Sequence, residues 1–173
     1  MVEKYYINSQ KIQDSEEILS YIVEGYGIIF EREDKKIFKE KYKDLFIFIQ
    51  KVLQRNKTNE NLNTYDKAIR AIGKYIYYQC SEDDYGFKLA NDFLKLLPAV
   101  NDLEESDKIC SDFLSKIIEE KNKLFLDDRN KEETKEAVKR IMNLNVNEHF
   151  IDNVSQLIST SLFLGINFSN YVD

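Results

Sequence analysis

Residues 64–79 read TYDKAIRAIGKYIYYQ, and this stretch decides the fold class. Its apolar residues recur every three or four positions, which predicts an amphipathic α-helix over the whole stretch. Ala68, Ala71 and Gly73 are small, so a neighbouring helix can approach closely there. The positions predicted to be buried are Ala68, Ile69, Ile72, Tyr75 and Ile76.

The same helical spacing recurs on both sides of this stretch. The chain has only one proline and five glycines in 173 residues, so it lacks the turn residues that strand-rich folds need. We therefore predict an all-α chain of seven helices, packed as antiparallel pairs and joined by short polar links. The other six helices are predicted at about 16–30, 36–54, 85–97, 104–121, 132–142 and 148–164.

Local signals predict where several of these helices begin and end. Ser15 is the predicted N-cap of the first helix. The acidic segment 81–84 is expected to cap the fourth helix, where its negative charges complement the helix dipole. Pro98 is expected to end the fourth helix, because proline cannot continue one.

The spacing of the helices predicts a repeat. The third and fifth helices start about 40 residues apart, as do the second and fourth, and a repeat of this length is typical of HEAT and armadillo-type solenoids. We predict an α-α superhelix of this kind as a single domain over residues 1–173, with the tail at 165–173 docked on the last helices. A plain helical bundle is the alternative.

The net charge of −6 argues against nucleic acid and against anionic membrane surfaces as partners. It suits basic protein segments better. The longest apolar runs fall far short of the roughly 20 residues that a membrane-spanning helix needs. Two widely spaced cysteines and the lack of a signal sequence predict a reducing, intracellular setting.

No catalytic or metal-binding arrangement is visible in the sequence. The only histidine, His149, follows Glu148, and adjacent helix residues point in different directions, so the two do not form a dyad. No glycine-rich phosphate loop occurs. Cys80 and Cys110 are interpreted as inert thiols. We predict a chain that is not an enzyme and that has no cofactor and no metal site.

Two polar stripes are the candidate partner-binding surfaces. If their helices line the inner side of a solenoid, the stripes lie side by side on a concave face, where such proteins bind extended partners. Ordinary solvated helix surface is the alternative for each residue. Helical spacing places the members on one face of each helix: Lys67, Arg70 and Lys74 on the third, and Lys108, Asp112, Ser115 and Glu119 on the fifth.

Two segments resemble a known family. Residues 65–74 resemble the Asp-Asn-Ala-x-x-Ala-x-Gly-Lys stretch of importin-β-type karyopherins, especially the importin-5 and importin-4 branch. Residues 93–98, continuing through 102–106 to 117–119, resemble the C-terminal Leu-Pro, Glu-Glu and Leu-Ile-Glu pattern of that branch. The chain departs from the family at Lys67, where the family usually has asparagine.

This resemblance implies a fold and a function. It implies the C-terminal HEAT repeats of a nuclear transport receptor, which bind protein cargo and stack on upstream repeats of the same receptor. For the intact receptor it implies Ran GTPase and nucleoporins as further partners, neither assigned to this segment. It also implies shuttling between cytoplasm and nucleus.

Two other interpretations remain open at this point, a generic HEAT or armadillo scaffold or adaptor and a small helical regulatory protein. A truncated solenoid exposes an apolar end where the next repeat would stack. The predicted helix at 16–30 is that end, and we expect the chain to self-associate through it.

Overall fold

The computed structural model describes residues 9–32, 35–148 and 154–166. These ranges contain helices and no strand, which confirms the predicted all-α class. None of the described helices is both long enough and apolar enough to cross a bilayer. The helices are α1 (Ser9–Arg32), α2 (Lys35–Leu53), α3 (Leu62–Gln79), α4 (Asp84–Leu94), α5 (Leu103–Ile118), α6 (Lys123–Leu126), α7 (Lys131–Glu148) and α8 (Val154–Phe163).

The short helix α6 was not predicted, so the described residues form eight helices rather than seven. Its four residues are too few to show a helical period. Asn122 caps it, because the Asn122 side chain accepts a hydrogen bond from Leu124 N at 3.0 Å. Leu124 and Phe125 are buried, so this single turn contributes to the core.

The predicted ends of several helices were wrong; α7, for example, was predicted to end at about 142 and continues to Glu148. Ser15 is not an N-cap, because α1 begins at Ser9 and the polar residues before Ser15 continue the helix. Helix α4 was predicted to run to Leu97, next to Pro98, but it ends at Leu94. The chain then turns. The residue before a proline is disfavoured in the α conformation, which accounts for the absence of Leu97 from the helix.

The start of α4 and the end of α8 are defined by capping hydrogen bonds. Asp83 is the N-cap of α4, as the acidic segment predicted, and its carboxylate accepts from Gly86 N at 2.8 Å. At the end of α8, Gly165 has a φ of +69°. The bonds Gly165 N to Leu162 O and Ile166 N to Ser161 O form a Schellman motif there. Ile166 is buried, whereas residues 167–173 of the predicted tail and His149 lie outside the described residues.

The chain divides into two compact units, Met1–Tyr78 and Gln79–Asp173. In the first, α1 runs antiparallel to α2, since Phe30 meets Tyr42 and Tyr26 meets Phe48. Helix α3 runs parallel to α1, and a Cβ added at Gly27 would lie 3.5 Å from Ala71 Cα. The expected close approach of small residues on α3 therefore occurs at Ala71.

The second unit is built around three buried phenylalanines, Phe93, Phe113 and Phe125, whose ring centroids lie 5.4–6.4 Å apart. Helix α4 runs parallel to α7, because the start of α4 meets Asn130, just before α7, and the end of α4 meets Arg140, further along α7. Asn130 Nδ2 donates to Phe87 O at 2.8 Å, and Arg140 Nε donates to Leu97 O at 2.9 Å.

Side-chain hydrogen bonds between α1 and α3, and between the α4 and α7 regions, join residues 39–48 positions apart, most often 43, which makes the fold repeat-like. A hydrogen bond joins residues 43 positions apart three times in the first unit and twice in the second. Parallel helices one repeat apart produce this regular offset. The pairs are Ser20–Asn63, Glu24–Lys67, Glu31–Lys74, Phe87–Asn130 and Leu97–Arg140.

Candidate partner-binding surfaces

The basic stripe on α3 is directed at α1. Lys67 Nζ donates to Glu24 Oε2 at 2.9 Å and to Ser20 Oγ at 3.1 Å. Lys74 Nζ donates to Glu31 Oε2 at 2.6 Å. Both lysine side chains are only 13% exposed. Lys67 and Lys74 therefore join α1 to α3, and Arg70 lies half-buried between them on the same helix.

The seam between α1 and α3 is polar along its first turns. Glu16 is buried and forms an ion pair with Arg55. Thr64 Oγ1 donates to the backbone oxygen of Glu16 at 3.3 Å. Asp66 of α3 is completely buried. Because buried polar groups are costly unless they are satisfied, this seam fixes the register of α3 on α1.

We expect the Lys67–Glu24 pair to contribute about 0.5–1 kcal/mol to stability, because Lys67 is largely removed from water. A double-mutant cycle with Lys67→Ala and Glu24→Ala, followed by urea unfolding, measures this coupling. The exposed Lys135–Glu132 pair on α7 is the reference, for which we expect about 0.3 kcal/mol. A Lys67–Glu24 coupling no larger than the reference would show that the pair does not hold the helices together.

The stripe on α5 is satisfied along its own helix and stays accessible. Lys108 Nζ bonds Glu104 at 2.7 Å and Glu105 at 3.1 Å, and these hydrogen bonds, Glu104 first, raise the pKa of Lys108. Ser115 Oγ donates to Glu119 Oε2 at 2.7 Å. Asp112 is partly exposed and Glu119 is exposed. A partner can reach the exposed Glu119 carboxylate, whose bond to Ser115 lies along α5 itself.

The two stripes belong to different units, the α3 stripe to Met1–Tyr78 and the α5 stripe to Gln79–Asp173. Their placement side by side on one concave face stays a prediction. Within its own unit each stripe has a distinct character: the α3 lysines bind acids of α1, whereas the α5 residues pair with neighbours one helical turn away.

A surface pocket of about 410 Å³ lies between α4 and the segment before α7, and the sequence did not predict it. The guanidinium carbon of Arg129 lies 3.2 Å from the centroid of the Phe87 ring, a cation–π contact. The residues that line the pocket are Asp84, Phe87, Lys88, Asn91, Arg129 and Asn130.

Carboxylates already offset the positive charge in this pocket. Arg129 Nε bonds Asp127 at 2.7 Å, which raises the pKa of Arg129 and lowers that of Asp127. Arg129 also lies 3.4 Å from Asp84. Asn130 is buried and donates to Phe87 O and Leu124 O. The arrangement therefore fixes the segment before α7 on α4, and its members lie too far apart in sequence to form a recognisable motif.

The two cysteines are not joined in a disulfide. Cys110 is buried in the second unit, and burial raises the pKa of its thiol well above the ordinary value. Such a thiol stays protonated and unreactive at neutral pH. Among the described residues, no three His, Cys, Asp or Glu side chains are placed to hold a metal ion.

Comparisons of the chain with protein-family models, with curated proteins and with solved structures found no match.

Proposed function

We propose that this chain is a C-terminal HEAT-repeat segment of a nuclear transport receptor of the importin-β type, and that it binds protein cargo. In the intact receptor it stacks on upstream repeats, and the receptor moves cargo between cytoplasm and nucleus with Ran GTPase and nucleoporins. The segment acts by binding and not by catalysis.

The observation that carries this proposal is the recurrence of contacts at separations of 39–48 residues, most often 43. HEAT and armadillo repeats have a length of about 40–47 residues, so the separation has the expected size. The resemblance of residues 65–74 to a karyopherin stretch supports the transport role within that repeat class. In that segment Ala68, Ala71 and Gly73 are buried in α3, as packing between repeats requires.

The α5 stripe is the better cargo surface of the two. Lys67 and Lys74 are occupied by acids of α1, so binding cargo there would break contacts that hold the first unit together. Asp112 and Glu119 on α5 are accessible acids on a chain of net charge −6. Opposite charge steers and orients a partner, which favours a cargo segment rich in lysine and arginine.

The test measures binding of a fluorescently labelled Lys/Arg-rich peptide to the 173-residue chain by anisotropy at several salt concentrations. We expect the double variant Asp112→Lys/Glu119→Lys to weaken binding about tenfold, equivalent to about 1.4 kcal/mol. Binding should also weaken as salt rises, because exposed charges are screened.

The matched control is Glu132→Lys/Glu136→Lys on α7, which changes the net charge by the same amount at two exposed acids of the same unit. We expect this control to change the dissociation constant of the peptide less than twofold, because its charges make no direct contact with the peptide. Equal losses in both variants, or no peptide binding by the folded chain, would reject the α5 cargo surface. Failure of the folded full-length receptor to capture GTP-loaded Ran would reject the transport role.

A further inference from the structure

Helix α1 exposes a continuous apolar face, here called the α1 outer face, made of Ile18, Tyr21, Ile22, Gly25, Ile28 and Ile29. Isoleucine is among the residue types most often buried, so four exposed isoleucines on one helix are unusual. The side chains are 60% exposed at Ile18, 62% at Tyr21, 39% at Ile22, 41% at Ile28 and 37% at Ile29.

The opposite side of α1 is already covered. Val23, Gly27 and Phe30 are buried inside the first unit, and they lie about half a helical turn away from the α1 outer face. A helix that is apolar on both sides is typical of one that is covered on both sides. The α1 outer face therefore has the composition of an interface.

The face is complementary to itself. Ile18, Ile22, Gly25 and Ile29 are spaced by four, three and four residues, and this pattern reads the same in both directions. In an antiparallel pair, Ile18 of one copy meets Ile29 of the other, and Ile22 meets Gly25. A Cβ added at Gly25 would have nothing within 4 Å, so Gly25 leaves a recess that an isoleucine side chain can fill. Paired helices pack in this way, with a side chain of one helix inserted into a gap between side chains of the other.

Size and charge also suit a second copy. The five exposed side chains present about 500 Å² of accessible surface, in the range of the largest apolar patch on a soluble monomer. Pairing two such faces removes about 1,000 Å² from water, about the minimum for a specific interface. The face has no charged residue between 18 and 29, because Glu24 points to Lys67 on α3. Exposed Glu17 lies at the edge of the face, where the Tyr21 hydroxyl donates to it at 3.4 Å. Two acidic chains can therefore meet without burying like charges between Ile18 and Ile29.

We propose that two copies of this chain pair through the α1 outer face in an antiparallel, two-fold arrangement. The proposal concerns the 173-residue chain and does not depend on the cargo surface, which lies on α5. In the proposed intact receptor, upstream repeats would cover the α1 outer face instead. A two-fold contact of this kind closes on itself, so it produces dimers and not fibres.

Sedimentation equilibrium over a range of protein concentrations tests the proposal. We expect a reversible monomer–dimer equilibrium for the native chain and a dissociation constant at least about tenfold higher for Ile18→Lys/Ile22→Lys, since central apolar anchors dominate such interfaces. The added lysines lower the net negative charge, so repulsion between the two acidic chains as a whole does not explain lost pairing. Circular dichroism checks that the variant is folded.

The control is Leu103→Lys/Leu162→Lys, which makes the same chemical change at two exposed apolar side chains of the second unit. It should leave the dimer unchanged. A native chain that stays monomeric at high concentration would overturn the proposal, as would equal losses in both variants or open-ended growth beyond the dimer.

Cross-linking tests the orientation in a Cys80→Ser background. A mixture of Ile18→Cys and Ile29→Cys chains should form the 18–29 cross-link with a short thiol-reactive reagent. The 18–18 and 29–29 cross-links should be weak, because those positions lie at opposite ends of an antiparallel pair. Dominant 18–18 and 29–29 products would indicate parallel pairing and overturn the arrangement.

Discussion

Replacing Phe125 by alanine is expected to lower the free energy of unfolding by about 3–5 kcal/mol, the usual cost of truncating a fully buried phenylalanine. Phe125 has no exposed surface, and its ring centroid lies 5.4 Å from that of Phe113 in an edge-to-face contact. Phe125 lies on α6, a single turn that has little stability of its own. The contacts of Phe125 therefore hold α6 in place. The substitution removes that anchor and leaves a cavity.

Urea unfolding followed by far-ultraviolet circular dichroism measures the effect. Phe163→Ala is the matched control, because Phe163 is 49% exposed on α8 and its loss should change stability by less than about 0.5 kcal/mol. Similar costs for the two substitutions would mean that α6 does not belong to the core of the second unit.

Replacing Gly86 by alanine is expected to cost about 1–3 kcal/mol, the usual penalty for forcing a methyl group into packed surroundings. A Cβ at this position would overlap the backbone carbonyl oxygen of Ser81 and would lie 3.3 Å from Leu124 Cδ2. The backbone comes this close because Asp83 caps α4 through the amide of Gly86. A backbone atom cannot move aside as a flexible side chain can.

Replacing Gly25 by alanine should instead raise the free energy of unfolding. Gly25 lies inside α1 and a Cβ there meets nothing within 4 Å, so alanine should stabilise the chain by about 0.5–1 kcal/mol through its higher helix propensity. Urea unfolding of both variants at low protein concentration, where the chain is monomeric, gives the comparison. A Gly86→Ala variant as stable as the native chain would show that the Ser81 backbone can withdraw.

Much of the fold could be predicted from the sequence because helical period is a local property. The spacing predicted five buried positions on α3. Ala68, Ile69, Ile72 and Ile76 are buried, whereas Tyr75 is only half-buried. The acidic residues before α4 predicted a cap, and Asp83 is that cap. By contrast, α6 is one turn long, and Ser15 resembles an N-cap only where the preceding residues are not helical.

The candidate surfaces could be predicted only in part. Spacing placed Lys67, Arg70 and Lys74 on one face of α3, but it did not indicate that Glu24 and Glu31 of α1 bind two of them. Those acids lie 43 residues away, and any of several acidic positions could have been the partner. The pocket beside Arg129 was missed for the same reason, since its residues come from two distant segments.

The sequence by itself determined the helical class, most of the helices and the residues that share each face, because these depend on interactions within a few residues along the chain. The tertiary structure alone decided which neighbour covers each face. It turned the α3 lysines toward α1, left the α5 carboxylates accessible and left Ile18, Ile22 and Ile29 at the surface. The physical reason is that a helical pattern specifies which side of a helix is apolar, whereas burial depends on which other helices pack against that side.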